Sequence, residues 1–407
     1  MRDFHTSGQN RNRSMRGGRP QRFNNNRGKF NRYNKSTPKV TDYSKYINKA
    51  VTEVEEAPYV PEHTFAEFGF NDRLVDTLKH RRLSAPTPIQ DQSIPLAMQG
   101  LDVIGLANTG TGKTAAFLLP IIHKIASDNT AASVLILTPT RELAQQIDGK
   151  FRHFASGQHR RSVLLVGGMN IAKQISELRF GPQVIIGTPG RVMDLIQRRV
   201  LRLQQVQTFV LDEADRMCDM GFVRDIRAIE EELPKDRQTL CFSATMTDDV
   251  SKIVKEFMHE PVTVSLAKNQ TGKHIEQDVV KVADKGEKLS KLTEILSDDE
   301  FEKVIIFGET KFGVQRLADK LSSMDIPSAA IHGNKSQAQR TRALDSFKKG
   351  RTKVLVATDV AARGIDVAGV SHVINYDLPK EYSDYIHRIG RTGRAGRSGK
   401  ALTFIVE

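Results

Sequence analysis

The chain has 407 residues, more than one ordinary domain contains, so two or three domains with separate cores are expected. No apolar run approaches the roughly 18 residues of a membrane-spanning helix, and no secretory signal is visible, so a soluble cytoplasmic protein is predicted. Cys218 and Cys241 have no metal-ligand spacing, which argues against a zinc site and favours core packing in a reducing compartment.

The net charge of +13 is concentrated at the N-terminus, where the first 50 residues carry 13 Lys or Arg against only Asp3 and Asp42. Glycines, asparagines and aromatic residues lie between the arginines. Such a segment cannot bury enough apolar surface to offset its ordering entropy, so residues 1–60 are predicted to be a disordered basic arm. Arginines pair with phosphates and aromatic rings stack on bases, which favours nucleic-acid binding. A solubilising arm without a partner is the alternative.

From residue 63 onward, short Val, Ile and Leu runs alternate with amphipathic stretches, a pattern typical of strands buried on both faces of a parallel sheet. The runs lie at 103–106, 134–137, 163–166, 184–186, 209–211 and 239–242, and again at 304–307, 329–331, 354–356, 373–374 and 402–405. The polar segment 267–276 between the two series is predicted to be a linker. We therefore expect α/β domains at residues 63–266 and 277–407, with a ligand held between them.

The segment from Ala107 to Thr114 follows a predicted strand and begins a predicted helix, which is the context that a P-loop requires. Glycines in it let backbone N–H groups face phosphates, Lys113 reaches the outer phosphates, and the Thr114 hydroxyl can ligate Mg²⁺. The predicted nucleotide contacts of this loop are Ala107, Asn108, Thr109, Gly110, Thr111, Gly112, Lys113 and Thr114.

A second apolar strand ends in the adjacent acids Asp212 and Glu213. In a P-loop enzyme the first acid holds Mg²⁺, usually through water, and the second orients and deprotonates the attacking water. Two adjacent acids are often only a solvated strand end, but here they share a domain with a P-loop. The sequence therefore predicts hydrolysis of a nucleoside triphosphate.

Residues 212–215 read Asp-Glu-Ala-Asp, and the chain resembles the DEAD-box RNA helicases over about residues 63–407. Further motifs occur in the order of that family: Pro86-Thr-Pro-Ile-Gln90, Pro139-Thr-Arg-Glu-Leu-Ala144, Gly167-Gly168, Thr188-Pro-Gly-Arg191, Ser243-Ala-Thr245, Gln337 with Arg340, Ala362-Arg-Gly-Ile-Asp366 and His387-Arg-Ile-Gly-Arg-Thr-Gly-Arg394. The resemblance implies two tandem recA-like domains with mostly parallel sheets, ATP and Mg²⁺ as cofactors, and RNA as partner. The stretch from Asp215 to Phe222 is similar to the bacterial RhlE-like branch.

The resemblance also implies nucleotide contacts outside the P-loop. The amide of Gln90 can donate to adenine N7 and accept from N6. Phe65 matches the family's upstream aromatic residue, whereas Leu83 stands where the family usually has a second ring, and so offers adenine a weaker platform. Asp366 is assigned to the ribose hydroxyl. Gly364 beside it is assigned to the nucleotide or the domain interface.

Two further groups of residues follow from the resemblance. Arg391 and Arg394 are three apart, hence on one face of a helix, and are predicted to reach the γ-phosphate as arginine fingers when domain 2 closes on domain 1. Coupling of the nucleotide site to the interface is assigned to Asp215, Ser243, Thr245 and His387. Backbone contacts to RNA, which carry no sequence information, are assigned to Pro139, Thr140, Arg141, Gly168, Thr188, Arg191, Gln337, Arg340 and Thr358.

The predicted function is ATP-driven, local separation of RNA strands. ATP and single-stranded RNA together would close the two domains on a bent strand that a duplex cannot adopt. Two alternatives stay open: a clamp or remodeller in which ATP switches affinity, and a DNA translocase. A monomer is expected, with ribosome-assembly or RNA-decay factors as candidate partners.

Overall fold

A computed structural model describes residues 44–47, 59–81, 83–108, 110–126, 130–266, 275–362, 367–393 and 399–407. Most of the predicted basic arm and of the linker lie outside these ranges. Four predicted site residues also lie outside them: Thr109, Gly364, Asp366 and Arg394. In the part of the chain that the structure describes, no helix is both long and apolar enough to cross a bilayer.

Domain 1 is a parallel sheet of seven strands in the order β3-β4-β2-β5-β6-β1-β7. The strands are β1 Val103–Leu106, β2 Val134–Leu137, β3 Ser162–Leu165, β4 Val184–Gly187, β5 Thr208–Asp212, β6 Gln238–Ser243 and β7 Val262–Ser265. The helices are α1 Asp72–His80, α2 Pro88–Met98, α3 Lys113–Ala126, α4 Arg141–Phe154, α5 Ile171–Leu178, α6 Pro189–Gln197, α7 Ala214–Asp219, α8 Val223–Glu230 and α9 Asp248–Phe257.

The sheet of domain 1 separates two apolar cores. Successive side chains of a strand point to opposite faces, so Ile136 of β2 belongs to one core, whereas Leu135 and Leu137 belong to the other. Both faces of the inner strands are therefore covered by helices. This arrangement is why the strands appear in the sequence as continuous apolar runs.

Domain 2 repeats the architecture with six parallel strands in the order β10-β11-β9-β12-β13-β8. Its strands are β8 Ile275–Val282, β9 Val304–Phe307, β10 Ser328–Ile331, β11 Val354–Ala357, β12 His372–Asn375 and β13 Gly399–Val406. Its helices are α10 Lys285–Leu296, α11 Lys311–Ser322, α12 Gln337–Lys348, α13 Asp359–Ala362 and α14 Tyr382–Ile389. Two parallel α/β sheets in tandem confirm the predicted fold class.

The strands β7 and β8 and the 3₁₀-helix at Ser44–Tyr46 differ from the sequence-based expectation. β7 and β8 lie at sheet edges, where one face or both are exposed, so neither has the continuous apolar run of an inner strand. β8 begins at Ile275, inside the range predicted for the linker. Ser44–Tyr46 form a 3₁₀-helix inside the arm predicted to be disordered, and Tyr46 is only 4% exposed. The prediction of disorder is wrong at these residues because the tyrosine ring has an apolar site to pack in.

Candidate nucleotide and nucleic-acid site

The predicted P-loop connects β1 to α3, so its backbone lies at the carboxyl edge of the sheet. Lys113, the first residue of α3, is buried, and its Nζ donates to the main-chain oxygen of Ala107 at 2.7 Å. The Thr111 hydroxyl donates to the main-chain oxygen of Asn108 at 2.9 Å. The loop is thus closed by its own hydrogen bonds, with its lysine directed back along the strand end where phosphates are predicted to bind.

Gln90 of α2 packs directly against this loop. Its Nε2 donates to the main-chain oxygen of Gly112 at 3.1 Å, and its Oε1 accepts from the Thr87 N–H at 3.0 Å. Gly112 has a φ of +102°, and a Cβ at this position would collide with the Gln90 amide, so only glycine fits. Gly110 also has a positive φ, of +91°. The residue predicted to read adenine and the loop predicted to bind phosphates are therefore in direct contact.

Asp212, at the end of β5, has the properties of a cation ligand. It is 3% exposed, and its Oδ1 has no hydrogen-bond partner. Burial raises the pKa of Asp212 to about 6, although the Lys113 charge opposes the rise. Carboxylate and hydroxyl oxygens are ligands that Mg²⁺ accepts, so Asp212 and the Thr114 hydroxyl fit this ion. Within the described ranges, no group of three or more His, Cys, Asp or Glu side chains could hold a metal ion.

Glu213 follows Asp212 with a left-handed backbone, at φ +55° and ψ +52°. This conformation is strained for a residue with a Cβ and is common at functional sites. The Nη1 of Arg216 donates to Glu213 Oε2 at 2.9 Å, and both side chains are nearly fully buried. Burial would raise the pKa of Glu213, but the charges of Arg216, Arg391 and Lys113 together hold it below its usual value. The carboxylate is therefore ionised, as a general base must be.

Asp215 links the acidic motif to the end of β6. Its Oδ2 accepts hydrogen bonds from the Thr245 hydroxyl and the Thr245 N–H, each at 2.9 Å, and from the Ala244 N–H at 3.2 Å. Its own N–H donates to the Ser243 hydroxyl at 3.2 Å. Burial acts to raise the pKa of Asp215, but the Lys113 charge and the Thr245 hydrogen bond help to hold it low. The predicted coupling residues of domain 1 are thus in direct contact.

Domain 2 contributes His387 and Arg391 to the same region. α14 ends at Ile389, so Arg391 lies in the turn after the helix, and the prediction that it lies on a helix is wrong. Arg391 is 4% exposed, and its Nε donates to the main-chain oxygen of His387 at 3.3 Å. Burial, aided by the Arg216 charge, lowers the pKa of His387 to about 4. Both domain 2 side chains line one small cavity together with Arg216 of domain 1.

Among the predicted RNA contacts after β2, Arg141 lies against the glycine pair Gly167-Gly168, which follows β3. Pro139 and Thr140 are buried, and the Thr140 hydroxyl accepts from the Leu143 N–H at 3.3 Å, so it caps α4. Gly168 has a φ of +73°, and a Cβ there would collide with the guanidinium of Arg141. The glycines thus make room for the arginine. Their structural function is to let Arg141 lie across the loop at the carboxyl edge of the sheet.

The predicted RNA contacts after β4 lie at the neighbouring strand. Thr188 precedes α6 and makes no capping hydrogen bond through its side chain. The Nη1 of Arg191 donates to Gln174 Oε1 at 3.0 Å, and its Nε lies 3.6 Å from Asp194 Oδ2. Since β4 is next to β2 in the sheet, both groups of residues belong to one edge. Hydroxyls and helix N-termini at such an edge suit phosphate oxygens.

Gln337 and Arg340 of domain 2 were predicted to contact RNA, but here they contact domain 1. The Gln337 Nε2 donates to Glu142 Oε1 at 3.1 Å and to Gln145 Oε1 at 3.2 Å. The Arg340 Nη2 lies 2.8 Å from Glu142 Oε2, and the Glu142 side chain is 1% exposed. A buried carboxylate needs an opposite charge, and in this arrangement domain 2 supplies it.

The remaining predicted residues are less closely tied to the nucleotide loop. Phe65 is buried and lies edge-on to Phe68, with ring centroids 6.0 Å apart. Leu83 is 38% exposed. Thr358 follows β11, and its N–H donates to the main-chain oxygen of Ile331 at 3.3 Å. Phe65 is thus part of the domain 1 core.

The sequence analysis missed several side chains that support these motifs. Arg216 was not singled out, although the Glu-x-x-Arg spacing across the start of a helix is a signal for an ion pair. Gln174 and Asp91 lie outside any motif, and their partners Arg191 and His63 are distant in sequence, so no local pattern announces them. Contacts of this kind depend on the fold.

Comparison with known proteins gives consistent matches. Residues 87–253 match the DEAD/DEAH box helicase family model, and residues 287–396 match the helicase conserved C-terminal domain. The ATP-dependent RNA helicase CshA of Listeria monocytogenes is 47% identical over 84% of this chain and 66% of the relative. The DEAD-box ATP-dependent RNA helicase CshA of Geobacillus kaustophilus is 46% identical over 84% of this chain and 73% of the relative. The chain belongs to the DEAD-box family of ATP-dependent RNA helicases.

Solved DEAD-box structures match both domains together. Dbp5 of S. cerevisiae bound to RNA and ADP BeF3 has a TM-score of 0.76 at 35% identity, covering 84% of this chain and 90% of that one. Mss116p bound to ssRNA and AMP-PNP has a TM-score of 0.77 at 30% identity, covering 84% and 74%. The chain spans 64–73% of the length of the curated DEAD-box relatives it matches here.

Proposed function

We propose that this DEAD-box protein couples ATP hydrolysis to local separation of RNA strands or to remodelling of RNA–protein complexes. The observation that carries the proposal is the meeting of charged groups from both domains at Glu213. Arg216 of domain 1 contacts this carboxylate, and the charge of Arg391 from domain 2 lowers its pKa. A hydrolytic site with groups from two domains is complete only when the domains meet.

Each group in the site has a chemical role in this proposal. Lys113 and the P-loop N–H groups bind the phosphates, and Gln90 selects adenine. Glu213 orients the attacking water and accepts its proton. Arg391, together with Arg394, stabilises the charge that develops on the transferred phosphoryl group. Mg²⁺ held by Asp212 and the Thr114 hydroxyl would neutralise phosphate charge.

RNA is the proposed polymer partner. Two solved relatives, Dbp5 and Mss116p, were captured with RNA and a nucleotide analogue. In this chain the hydroxyls and arginines after β2 and β4 form a surface that would contact the RNA backbone, with Thr358 in domain 2. Gln337 and Arg340 would hold the domains together beside that surface. Contacts to phosphates alone predict little sequence preference.

The finer assignments are also part of the proposal. We propose recA-like domains at residues 63–266 and 277–407, a linker before β8, a cytoplasmic location and a monomeric state. Ribosome-assembly and RNA-decay factors are the proposed protein partners. Similarity to the RhlE-like branch rests on the stretch after Asp215 alone, whereas the relatives named above are CshA proteins.

Three measurements on the full chain test this function. ATPase activity should be stimulated by single-stranded RNA more than by DNA of the same sequence and length, and equal stimulation would favour a DNA translocase. A short RNA duplex should release its labelled strand when ATP is added. ATP-dependent retention of RNA without strand release would instead support the clamp.

A further inference from the structure

The chain segment that precedes domain 1 packs on domain 2. Tyr46, in the 3₁₀-helix Ser44–Tyr46, is 4% exposed, and its ring lies edge-on to that of Tyr385 with centroids 4.9 Å apart. Ile275, Ile389 and Ala401 complete the same apolar cluster. All four of these partners belong to the second sheet or to α14. The burial of Tyr46 is therefore an interaction between the N-terminal flank and the far domain.

The same flank is fixed to domain 1 shortly afterwards in sequence. The Tyr59 hydroxyl donates to Asp91 Oδ2 at 2.6 Å, and the Glu62 N–H donates to the same oxygen at 2.7 Å. His63 Nδ1 lies 2.8 Å from Asp91 Oδ1. Asp91 is 2% exposed and directly follows Gln90 on α2. This end of the flank is thus attached beside the adenine-reading residue.

The distance along the chain between the two attachments is short. Twelve peptide units separate Ile47 from Tyr59, and an extended chain of that length spans at most about 40 Å. Binding of Tyr46 to domain 2 is then intramolecular, at an effective concentration in the millimolar range typical of short linkers. A weak apolar contact is enough to be occupied under such conditions.

Tyr46 contacts a helix of domain 2 that also carries residues of the proposed hydrolytic site. Tyr385 and Ile389 lie on α14, the helix that also carries His387 and that leads into Arg391. Docking of Tyr46 therefore acts on the element that presents domain 2 to the hydrolytic site. We propose that residues 44–47 form an N-terminal clasp, an intramolecular segment that docks on α14 and stabilises the arrangement in which the two domains meet.

Substitution of Tyr46 tests the function of the clasp. Tyr46→Ala removes a buried aromatic ring, and we expect the RNA concentration for half-maximal ATPase to rise about tenfold, since edge-to-face pairs and ring burial together contribute on that scale. The rate at saturating RNA should stay within about twofold, because no group that touches ATP is changed. Tyr46→Phe should restore tight coupling. Ile47→Ala is the matched control, because Ile47 is half-exposed.

Two truncations separate the clasp from the basic arm. Removal of residues 1–43 keeps Tyr46, and removal of residues 1–58 deletes it. If the clasp acts by apolar docking, the difference between the two truncations should persist as salt is raised, since salt screens charge contacts and not apolar burial. A difference that disappears at high salt, or two truncations with equal RNA dependence, would overturn the proposal.

A fluorescence measurement tests docking without using RNA or activity, so it fails separately from the proposed function. The chain contains no tryptophan, so Tyr46→Trp introduces a single reporter. We expect blue-shifted emission that iodide quenches poorly, compared with red-shifted, readily quenched emission from Ile47→Trp. Equal emission and equal quenching of the two variants, in the presence and absence of an ATP analogue, would show that the clasp does not dock.

Discussion

Two buried Glu–Arg pairs have similar geometry but different positions in the fold. Glu213 and Arg216 are 2.9 Å apart, with side chains 6% and 2% exposed, and both belong to domain 1. Glu142 and Arg340 are 2.8 Å apart, with side chains 1% and 10% exposed, but the glutamate is in domain 1 and the arginine in domain 2. The first pair forms within one local segment, and the second forms only when the domains meet.

The two pairs represent two kinds of contact in the molecule, those within domain 1 and those between the domains. The residues proposed to bind and cleave the nucleotide are held by contacts inside domain 1: Gln90 against the P-loop, Arg216 against Glu213, Thr245 against Asp215. In contrast, Gln337 and Arg340 of domain 2 have their partners across the interface, in domain 1. On the proposed function, domain 1 holds its part of the site by its own contacts and domain 2 completes the site on closure, so RNA would control hydrolysis through the cross-domain contacts.

The largest effect is expected at Arg391, the domain 2 residue that is proposed to act on the transferred phosphoryl group. Arg391→Ala should lower RNA-stimulated ATP turnover by about 10³–10⁵-fold, the effect typical of an arginine finger. Affinity for an ATP analogue should change little, because the phosphate-binding groups of domain 1 remain. Arg391→Lys is the control, since it keeps the charge and loses the planar fork. An equal loss of nucleotide affinity and turnover would mean that Arg391 is a binding residue.

Glu213→Gln tests the pair that lies within domain 1. It removes the base and keeps the shape of the side chain, so turnover should fall by about 10²–10⁴-fold while ATP binding persists. RNA affinity with ATP bound should be retained, since the closed state can still form. Single-turnover hydrolysis measures the rate, and filter binding measures the affinities for ATP and RNA. A turnover within about threefold of the unsubstituted protein would remove Glu213 from the mechanism.

The features that could be predicted from the sequence are those that depend on interactions between residues close together in the chain. The inner strands, the P-loop and the acidic motif are local patterns, and the inner strands begin and end within a residue of the predicted positions, except that β13 begins three residues earlier. Edge strands β7 and β8 lack the continuous apolar run that served as the signal. Arg391 was assigned to a helix because the spacing of two arginines says nothing about where α14 ends.

Contacts between distant segments were beyond sequence analysis for a different reason. Nothing near Gln337 or Arg340 indicates that Glu142, almost two hundred residues earlier, is buried opposite them. Tyr46 lies in a segment whose overall composition predicts disorder, and composition averages over the single ring that docks. In both cases the partner lies in the other domain, so only the three-dimensional structure shows it.

The ion pair between Glu142 and Arg340 tests closure of the two domains and not the hydrolytic step. Arg340→Ala leaves Glu142 without its partner, and removing one member of a buried pair costs about 3–5 kcal/mol. Opening the domains rehydrates Glu142 and relieves part of this cost, so we expect about a hundredfold increase in the RNA concentration for half-maximal ATPase. Adding Glu142→Gln should recover part of the loss. No recovery in the double variant would indicate that Arg340 acts by contacting RNA.

Because the pKa of Asp212 is raised, we expect this residue to lower the free energy of unfolding at neutral pH when no cation is bound. Its pKa is about 6 in the fold against 3.8 ordinarily, so the folded state holds the proton more tightly and loses stability as pH rises through that interval. Asp212→Asn mimics the protonated acid. We expect the variant to match the parent near pH 4 and to be more stable by on the order of 2 kcal/mol at pH 7. Denaturant titrations with EDTA measure this difference, and a pH-independent difference would contradict it.

The smallest effect is expected from the basic arm, which contains no catalytic motif. Residues 1–43 hold 11 of the chain's 61 Lys and Arg, and removing them leaves Tyr46 in place. RNA binding should weaken while the maximal ATPase rate stays constant, because every catalytic group lies far beyond the deletion. Each lost phosphate contact removes about 0.7 from the slope of log affinity against log salt for single strands, so three lost contacts flatten it by about two units. Binding of one single-stranded RNA to the full-length and truncated chains across a salt series measures this slope. Parallel slopes and equal affinities would assign the arm to solubility or to a partner other than RNA.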